Sequence, residues 1–229
     1  MVSSNHLSKI IIMKIIVTEE QYNKSIEVSL DEDYPINWDI EKFKSLRSFN
    51  QRIKYCQENL QRISSGTSRI VYKVDDTKVL KLAKNPKGLA QNNAEIDLGG
   101  DYYIQSVIAN LFDSDEKGLW VEMELATKVT LKMFNRVNQV SFEDYSNAMR
   151  YQYDVAVEYN KHARPPHNMD QMWENEFVSD MIDFMVNYEV PVGDLCKLSS
   201  FGLVLRDGEE KIVLIDYGLT GEVYDSYYQ

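Results

Sequence analysis

The sequence predicts an α+β fold with two lobes and a cleft between them, on three observations. Strand-like segments gather in the first half of the chain, around Ile70–Val74 and Val79–Leu82. Helical spacing dominates from 141 to about 188, and an aspartate-bearing β-hairpin closes the chain. At 229 residues the chain fits one moderately large domain or two small lobes, with enough apolar content to bury a core. Asp plus Glu outnumber Lys plus Arg by 36 to 25, giving a formal charge of -11, which argues against a groove that tracks nucleic-acid phosphates. Cys56 and Cys196 are too few for a disulfide framework, so a reducing compartment is expected.

Taken in order, the apolar run Ile10–Val17 is too short to cross a bilayer. Lys14 interrupts it and no small-residue cleavage site follows, so a buried or edge strand is expected and no membrane contact. Met13 begins a segment that resembles a start in its own right, which makes residues 1–12 an expected upstream extension without a functional role. Thr18 and Gln21 have capping-box spacing, predicting a helix to about Val28, and Asp31-Glu32-Asp33 with Pro35 reads as a loop. Phe49, Ile53, Cys56, Leu60 and Ile63 then fall at steps of 4, 3, 4 and 3, one apolar stripe of an amphipathic helix.

The period changes at Ser64. Ile70–Val74, an Asp75-Asp76 turn and Val79–Leu82 predict strands. Ile104, Val107, Ile108 and Leu111 predict a helix over 101–112, and Leu119–Leu125 predicts a strand. Helices fill 141–188 around an Arg164-Pro165-Pro166 loop, and strands at Phe201–Leu205 and Lys211–Ile215 flank Arg206-Asp207-Gly208. There is no internal repeat or low-complexity tract.

Four positions carry candidate chemistry. Gly66 sits in a hairpin, where a backbone that lies over phosphates needs a residue without a side chain; an ordinary turn would use a glycine as well. Lys81 interrupts the apolar Val79–Leu82 strand and needs either an anion on that face or a route to water, with Glu95 the first candidate partner and Asp97 the second. Asp216 ends the apolar run Ile212–Ile215 ahead of Tyr217-Gly218, a place for a Mg²⁺ ligand or for a turn cap. Asp194, after Val190-Pro191-Val192-Gly193, can accept or orient the proton of a substrate hydroxyl.

The string from Phe49 through Glu95, with Ser-Arg-Ile-Val-Tyr and Lys-Leu-Ala-Lys-Asn-Pro-Lys-Gly-Leu-Ala-Gln-Asn, resembles the small kinase-like proteins encoded by tailed bacteriophages. Glu122–Ala126, Ser141–Asp144 and Leu214–Leu219 extend the resemblance over about residues 45 to 225. It implies a minimal protein-kinase-like fold with a β-rich N-lobe and a helical C-lobe that lacks the late helices. The corresponding segments are an N-terminal extension over 1–44, an N-lobe over 45–126 and a truncated C-lobe over 127–229. It also implies ATP and Mg²⁺ as cofactors. Gly66, Ser68 and Arg69 would form the phosphate loop, serine and arginine replacing two of its glycines. Lys81 would contact the phosphates with Glu95 as its partner, and Met123–Ala126, including Glu124 and Ala126, would form the hinge against adenine. Asp194 would be the catalytic aspartate, and Asp216 with Ser199 would hold the metal.

The pattern departs from that family at three points. Val192 stands where kinases usually carry histidine, Ser199 stands where the loop asparagine is expected, and 11 residues follow Gly218, too few for an activation segment and docking helices. Two functions follow. One is a phage phosphotransferase acting on a protein hydroxyl; the choice between phosphoryl and nucleotidyl transfer is one the sequence leaves open. The other is a pseudokinase serving as a virion or host-factor interaction module. The expected setting is the host cytoplasm or the virion. His162 and His167 flank the proline loop without carboxylate or cysteine neighbours, which disfavours zinc; Cys196 lacks an adjacent histidine, which disfavours a thiol nucleophile. Tyr224, Tyr227 and Tyr228 are expected to be surface packing, with phosphorylation or partner binding as the alternative.

Overall fold

The two segments with the strongest strand signal lie at the centre of an antiparallel sheet. β2 (Arg69–Lys73) pairs with β3 (Lys78–Ala83), placing Val71 opposite Lys81. This is a computed structural model that describes residue 35 and residues 37–227; the expected strand over 10–17, helix over 18–28 and loop over 31–33 lie outside the described residues. β1 (Gln61–Ser65), β4 (Leu111–Ser114) and β5 (Trp120–Glu124) complete five strands in the order β1-β2-β3-β5-β4.

The apolar stripe from Phe49 ends sooner than its spacing predicts. The helix α2 (Phe49–Asn59) starts at a capping box between Ser48 and Gln51, and Leu60 is already extended. Ile63 belongs to the edge strand β1 and is 50% exposed. The cause is backbone pairing: Arg62 aligns with Tyr72, and that ladder fixes the chain as strand whatever the side-chain period. α1 (Ile40–Ser45) and α2 cover one face of the sheet. Trp38, Phe43, Tyr55 and Cys56 pack there on Tyr72, Leu80, Leu82 and Trp120. The last residues of the segment expected as an extension over 1–44 thus contribute to this core.

The other face of the sheet continues into the helical part as one apolar cluster. Val79, Val121 and Met123 join Leu98 of α3 (Pro86–Gly99). They also join Phe134 of α4 (Leu131–Asn138), Tyr145 and Met149 of α5 (Phe142–Ala156), Met172 of α6 (Met169–Glu174) and Phe184 of α7 (Glu176–Asn187). α3 begins where Asn85 accepts the Gly88 N–H and Pro86 occupies the first turn. A second sheet, β6 (Thr127–Lys128), β7 (Phe201–Arg206) and β8 (Glu209–Leu214), is antiparallel in that order. Asp207 and Gly208 close the β7–β8 hairpin at φ 54 and 81, the pair of left-handed residues that a two-residue type I′ turn demands.

The helix expected over 101–112 does not form. A single 3₁₀ turn, Tyr102–Ile104, is followed by a loop and then β4. Ile104, Val107 and Ile108 are buried as their spacing suggests, but the loop satisfies its backbone on β8. Leu214 N donates to Val107 O at 2.7 Å and Ala109 N to Leu214 O at 3.0 Å. A buried loop with external backbone partners carries the same apolar pattern as a short helix. The helices after 141 and the closing strands lie where the sequence places them.

Candidate functional site

The tip of the β1–β2 hairpin is Gly66-Thr67-Ser68, and it is tied to the start of α3. Lys84 Nζ donates to Gly66 O at 2.7 Å, Asn85 Nδ2 to Thr67 O at 3.0 Å, and Lys84 N to Ser68 O at 2.8 Å. Ser68 Oγ donates to Gln91 Oε1 at 2.7 Å in a buried contact. α3 lies unusually close to its neighbours: a Cβ on Gly88 would stand 2.2 Å from Ser68 O, and one on Gly218 would stand 2.3 Å from Gln91 O. Gly218 follows Asp216 by two residues. Its role here is steric, admitting the chain after Asp216 to the backbone of α3. At Gly66, by contrast, a Cβ would meet nothing nearer than Arg69 O at 4.0 Å, so the glycine leaves open space on its cleft side.

Four charged side chains converge below this hairpin. Lys81, in mid-strand, donates to Glu95 Oε1 at 2.8 Å and to Ile215 O at 2.7 Å. Arg69, at the start of β2, places Nη1 2.7 Å from Glu95 Oε2, off the direction of a hydrogen bond, so that contact is electrostatic. Nη1 also donates to Asn92 Oδ1 at 3.3 Å, and Nη2 donates to Asp216 Oδ1. Glu95 is fully buried, Lys81 and Arg69 nearly so, while the Asp216 side chain is 59% exposed to the cleft. Two cations therefore face two carboxylates. Burial works against charging Arg69, but Glu95 and Asp216 outweigh it and push its pKa above the ordinary value. For Asp216, open to the cleft on one side, the protein around it opposes the charge, and the Arg69 and Lys81 charges still hold the carboxyl below its usual range. For Lys81 burial prevails, with Arg69 adding to it against Glu95, and the ammonium is held below its ordinary value.

A cleft of about 850 Å³ opens on this group, within the size range of sites for small ligands. Gly66, Ser68, Arg69, Lys81 and Asp216 line its charged end. Val71, Val79, Met123, Leu125 and Ala126 form an apolar slot, and Asp194 and Ser199 line it too. Glu95 stands behind Lys81, outside the lining. Asp97 takes no part in the ion pairs, so of the two candidate partners Glu95 is the one that Lys81 meets. Asp194 sits in the short helix α8 (Val192–Leu195), and its Oδ1 accepts from Lys197 Nζ at 2.5 Å. Glu124 borders the cleft but commits its carboxylate elsewhere: Arg206 donates to both oxygens, at 3.2 and 2.5 Å, and Asn110 N donates to Oε2 at 3.1 Å. Any contact of Glu124 with a base is thus left to its backbone.

Gln91, Asn92 and Arg206 do not stand out in the sequence reading. A signal for the first two exists: Gly88, Gln91, Asn92 and Glu95 share one face of α3, and small or polar residues on a buried helix face need partners. Arg206 has none, because its partners lie 82 and more residues away. Burial raises the Cys196 thiol, which disfavours it as a nucleophile. Among the described residues no three His, Cys, Asp or Glu side chains converge as a metal cluster.

The divalent cation implied by the family resemblance does not fit this arrangement. Asp216 and the Ser199 hydroxyl are the donors expected to hold it, yet Asp216 Oδ1 already faces the Arg69 guanidinium. Both Glu95 oxygens face cations and Asp194 faces Lys197. A doubly charged ion about 4 Å from the guanidinium would be repelled by on the order of 8 kcal/mol at an effective dielectric of about 20.

The chain matches no protein-family model and no curated protein. Solved structures that overlap it include a ternary complex of streptomycin, ATP and APH(2'')-IIa, at 11% identity and a TM-score of 0.34, over 77% of this chain and 72% of that one. The GDP complex of wild-type aminoglycoside 2'-phosphotransferase-IIIa overlaps at 14% identity and a TM-score of 0.36, over 88% of this chain and 73% of that one. A choline/ethanolamine kinase family protein from Mesorhizobium loti overlaps at 10% identity and a TM-score of 0.28, over 71% and 58%. Overlaps this slight carry no weight for the function, which rests on the geometry of the chain itself.

Proposed function

We propose that the chain binds a nucleoside triphosphate, ATP by the family resemblance, in this cleft and passes its terminal phosphoryl group to a hydroxyl of a protein. The observation that carries the proposal is the Lys81 ammonium, held between Glu95 and the Ile215 carbonyl at the charged end of a cleft whose other end is apolar. A buried ammonium and guanidinium beside an apolar slot suit a polyphosphate attached to a planar base. The hairpin tip would lie over the phosphates, Val71, Val79 and Met123 would enclose the base, and the backbone near Glu124 and Ala126 would meet its edge. In the transfer, the acceptor oxygen bonds to the terminal phosphorus as the bond to the bridging oxygen breaks. The hydroxyl proton passes to the Asp194 carboxylate, and the nucleoside diphosphate leaves with the bridging oxygen's electron pair. In a two-lobed kinase-like reading the five-stranded sheet is the N-lobe, and a phage protein of this kind would act on a host protein.

A second reading, an interaction module without transfer, is favoured by the Arg69–Asp216 contact and by the engagement of Asp194 with Lys197. The experiment is thermal unfolding with and without ATP, followed by transfer of label from the terminal phosphate to protein. A ligand at 100 times its Kd stabilises the fold by about 2.7 kcal/mol. Wild type is expected to shift, Lys81→Ala to shift much less, and Asp194→Asn to keep the shift but lose transfer. A shift in wild type with no transfer to any acceptor supports the interaction module; no shift at all removes the nucleotide from both readings.

A further inference from the structure

We propose that the Arg69 guanidinium takes the bridging place of a divalent cation, so that the phosphates of a nucleotide bind in this cleft without a metal ion. The proposal rests on the nucleotide reading above and deepens it. A bridging ion in a phosphate site has two tasks: it draws charge from the phosphate oxygens and ties them to a protein carboxylate. A guanidinium can do both, because its five N–H donors lie in one plane and serve two anions at once.

Arg69 is built for that position. Its side chain is 7% exposed, and it is held on three sides by residues from distant parts of the chain: Glu95 and Asn92 on α3, and Asp216 after β8. Asn92 is fixed in turn by donating Nδ2 to Gly118 O at 2.8 Å. The described hydrogen bonds use one N–H on each Nη, and Arg69 lines the cleft, so further donors remain for a phosphate oxygen. Lys81 lies on the same carboxylate, giving two fixed cations at the charged end, with Lys128 also on the lining. Asp216, by this account, positions Arg69 and does not ligate a metal. Its Oδ1 accepts from Nη2, and a metal on the same carboxylate would stand beside a guanidinium that fully buried Glu95 also holds in place.

The test is calorimetric titration of the full chain with ATP in EDTA and again in magnesium, for wild type, Arg69→Gln and Asp216→Asn. Wild type is expected to bind in EDTA within about threefold of its affinity in magnesium. Arg69→Gln should lose at least about tenfold in EDTA, and magnesium should now recover part of the loss because Asp216 is free. Asp216→Asn should weaken binding in EDTA by no more than about fivefold, since Glu95 and Asn92 still hold the guanidinium. If Arg69→Gln does not fold, judged by its unfolding transition, Asp216→Asn decides. Wild type that binds in magnesium and not in EDTA overturns the metal-free proposal and leaves the nucleotide reading intact. So does Asp216→Asn that loses all binding while folded. Wild type that binds ATP in neither solution overturns both.

Discussion

Replacing Glu95 by Gln tests the centre of the site without changing its shape. Glu95 is fully buried and faces Lys81 from one oxygen and Arg69 from the other. The variant keeps the volume and a hydrogen-bonding carbonyl, but leaves two buried cations with one fewer anion between them. Removing one partner of a buried ion pair costs about 3–5 kcal/mol. Arg69 keeps Asp216 and Lys81 keeps the Ile215 carbonyl, so the lower end, about 3 kcal/mol, is expected. In a domain of this size that lowers Tm by about 6–12 °C. The assay is thermal and urea unfolding of wild type, Glu95→Gln, Lys81→Met and the double variant. Lys81→Met removes one of the stranded charges, so the double variant should be more stable than the sum of the single losses by more than about 0.5 kcal/mol. A loss below about 1 kcal/mol for Glu95→Gln, as for an exposed pair, or strict additivity in the double variant, would refute the argument.

Gly218→Ala should cost about 1–3 kcal/mol, since the new Cβ would meet Gln91 O at 2.3 Å and Gln91 C at 2.9 Å, both backbone atoms; a lower urea midpoint with unchanged slope checks it. Arg206→Met leaves the Glu124 carboxylate, 12% exposed, with a single backbone donor and should cost about 1–3 kcal/mol, recovered in part by Glu124→Gln in the same chain. Burial, with Arg69 beside it, holds Lys81 below the ordinary value of 10.5. Lys81 is therefore charged below its lowered pKa and neutral above it. Affinity for ATP should fall on the alkaline side before pH 10.5 is reached, and Lys81→Arg should remove that fall.

The sequence made the strands legible wherever apolar alternation and pairing agree, as along Arg69–Lys73 and Lys78–Ala83. It misled where burial and periodicity had another cause. The loop around Val107 and Ile108 is buried because β8 supplies its backbone partners, information held about 106 residues away in Leu214. Ile63 repeats the α2 period by coincidence and lies on an edge strand. In the site, Lys81 was conspicuous because a lone charge in an apolar strand requires an anion, and Glu95, the first candidate ahead of Asp97, is the anion it meets. Arg69 was expected in the phosphate loop; it starts β2 and faces Glu95 and Asp216, and its grip on Asp216 spans 147 positions and leaves no local trace. A contact between a hairpin and the far end of the chain is fixed by topology, and local pattern is silent on it.

The crossing of the 105–109 loop with the closing hairpin decides how the cleft can admit a ligand. Besides the two bonds to Leu214, Arg206 donates to Gln105 O and Ile108 O, and Tyr217 Oη donates to Ala109 O. The sheet is thus fastened to the helical part at the loop as well as through Leu125 and Ala126, and two fastenings suppress the swing that one would permit. The aperture is rigid along its floor, and the amides of Ala109 and Leu214 should exchange with solvent only on global opening. The looser wall is the hairpin tip, where the bonds from Lys84 and Asn85 are open to solvent. Amide exchange at Gly66 and Lys84, along that wall, should therefore be faster than at Ala109 and Leu214.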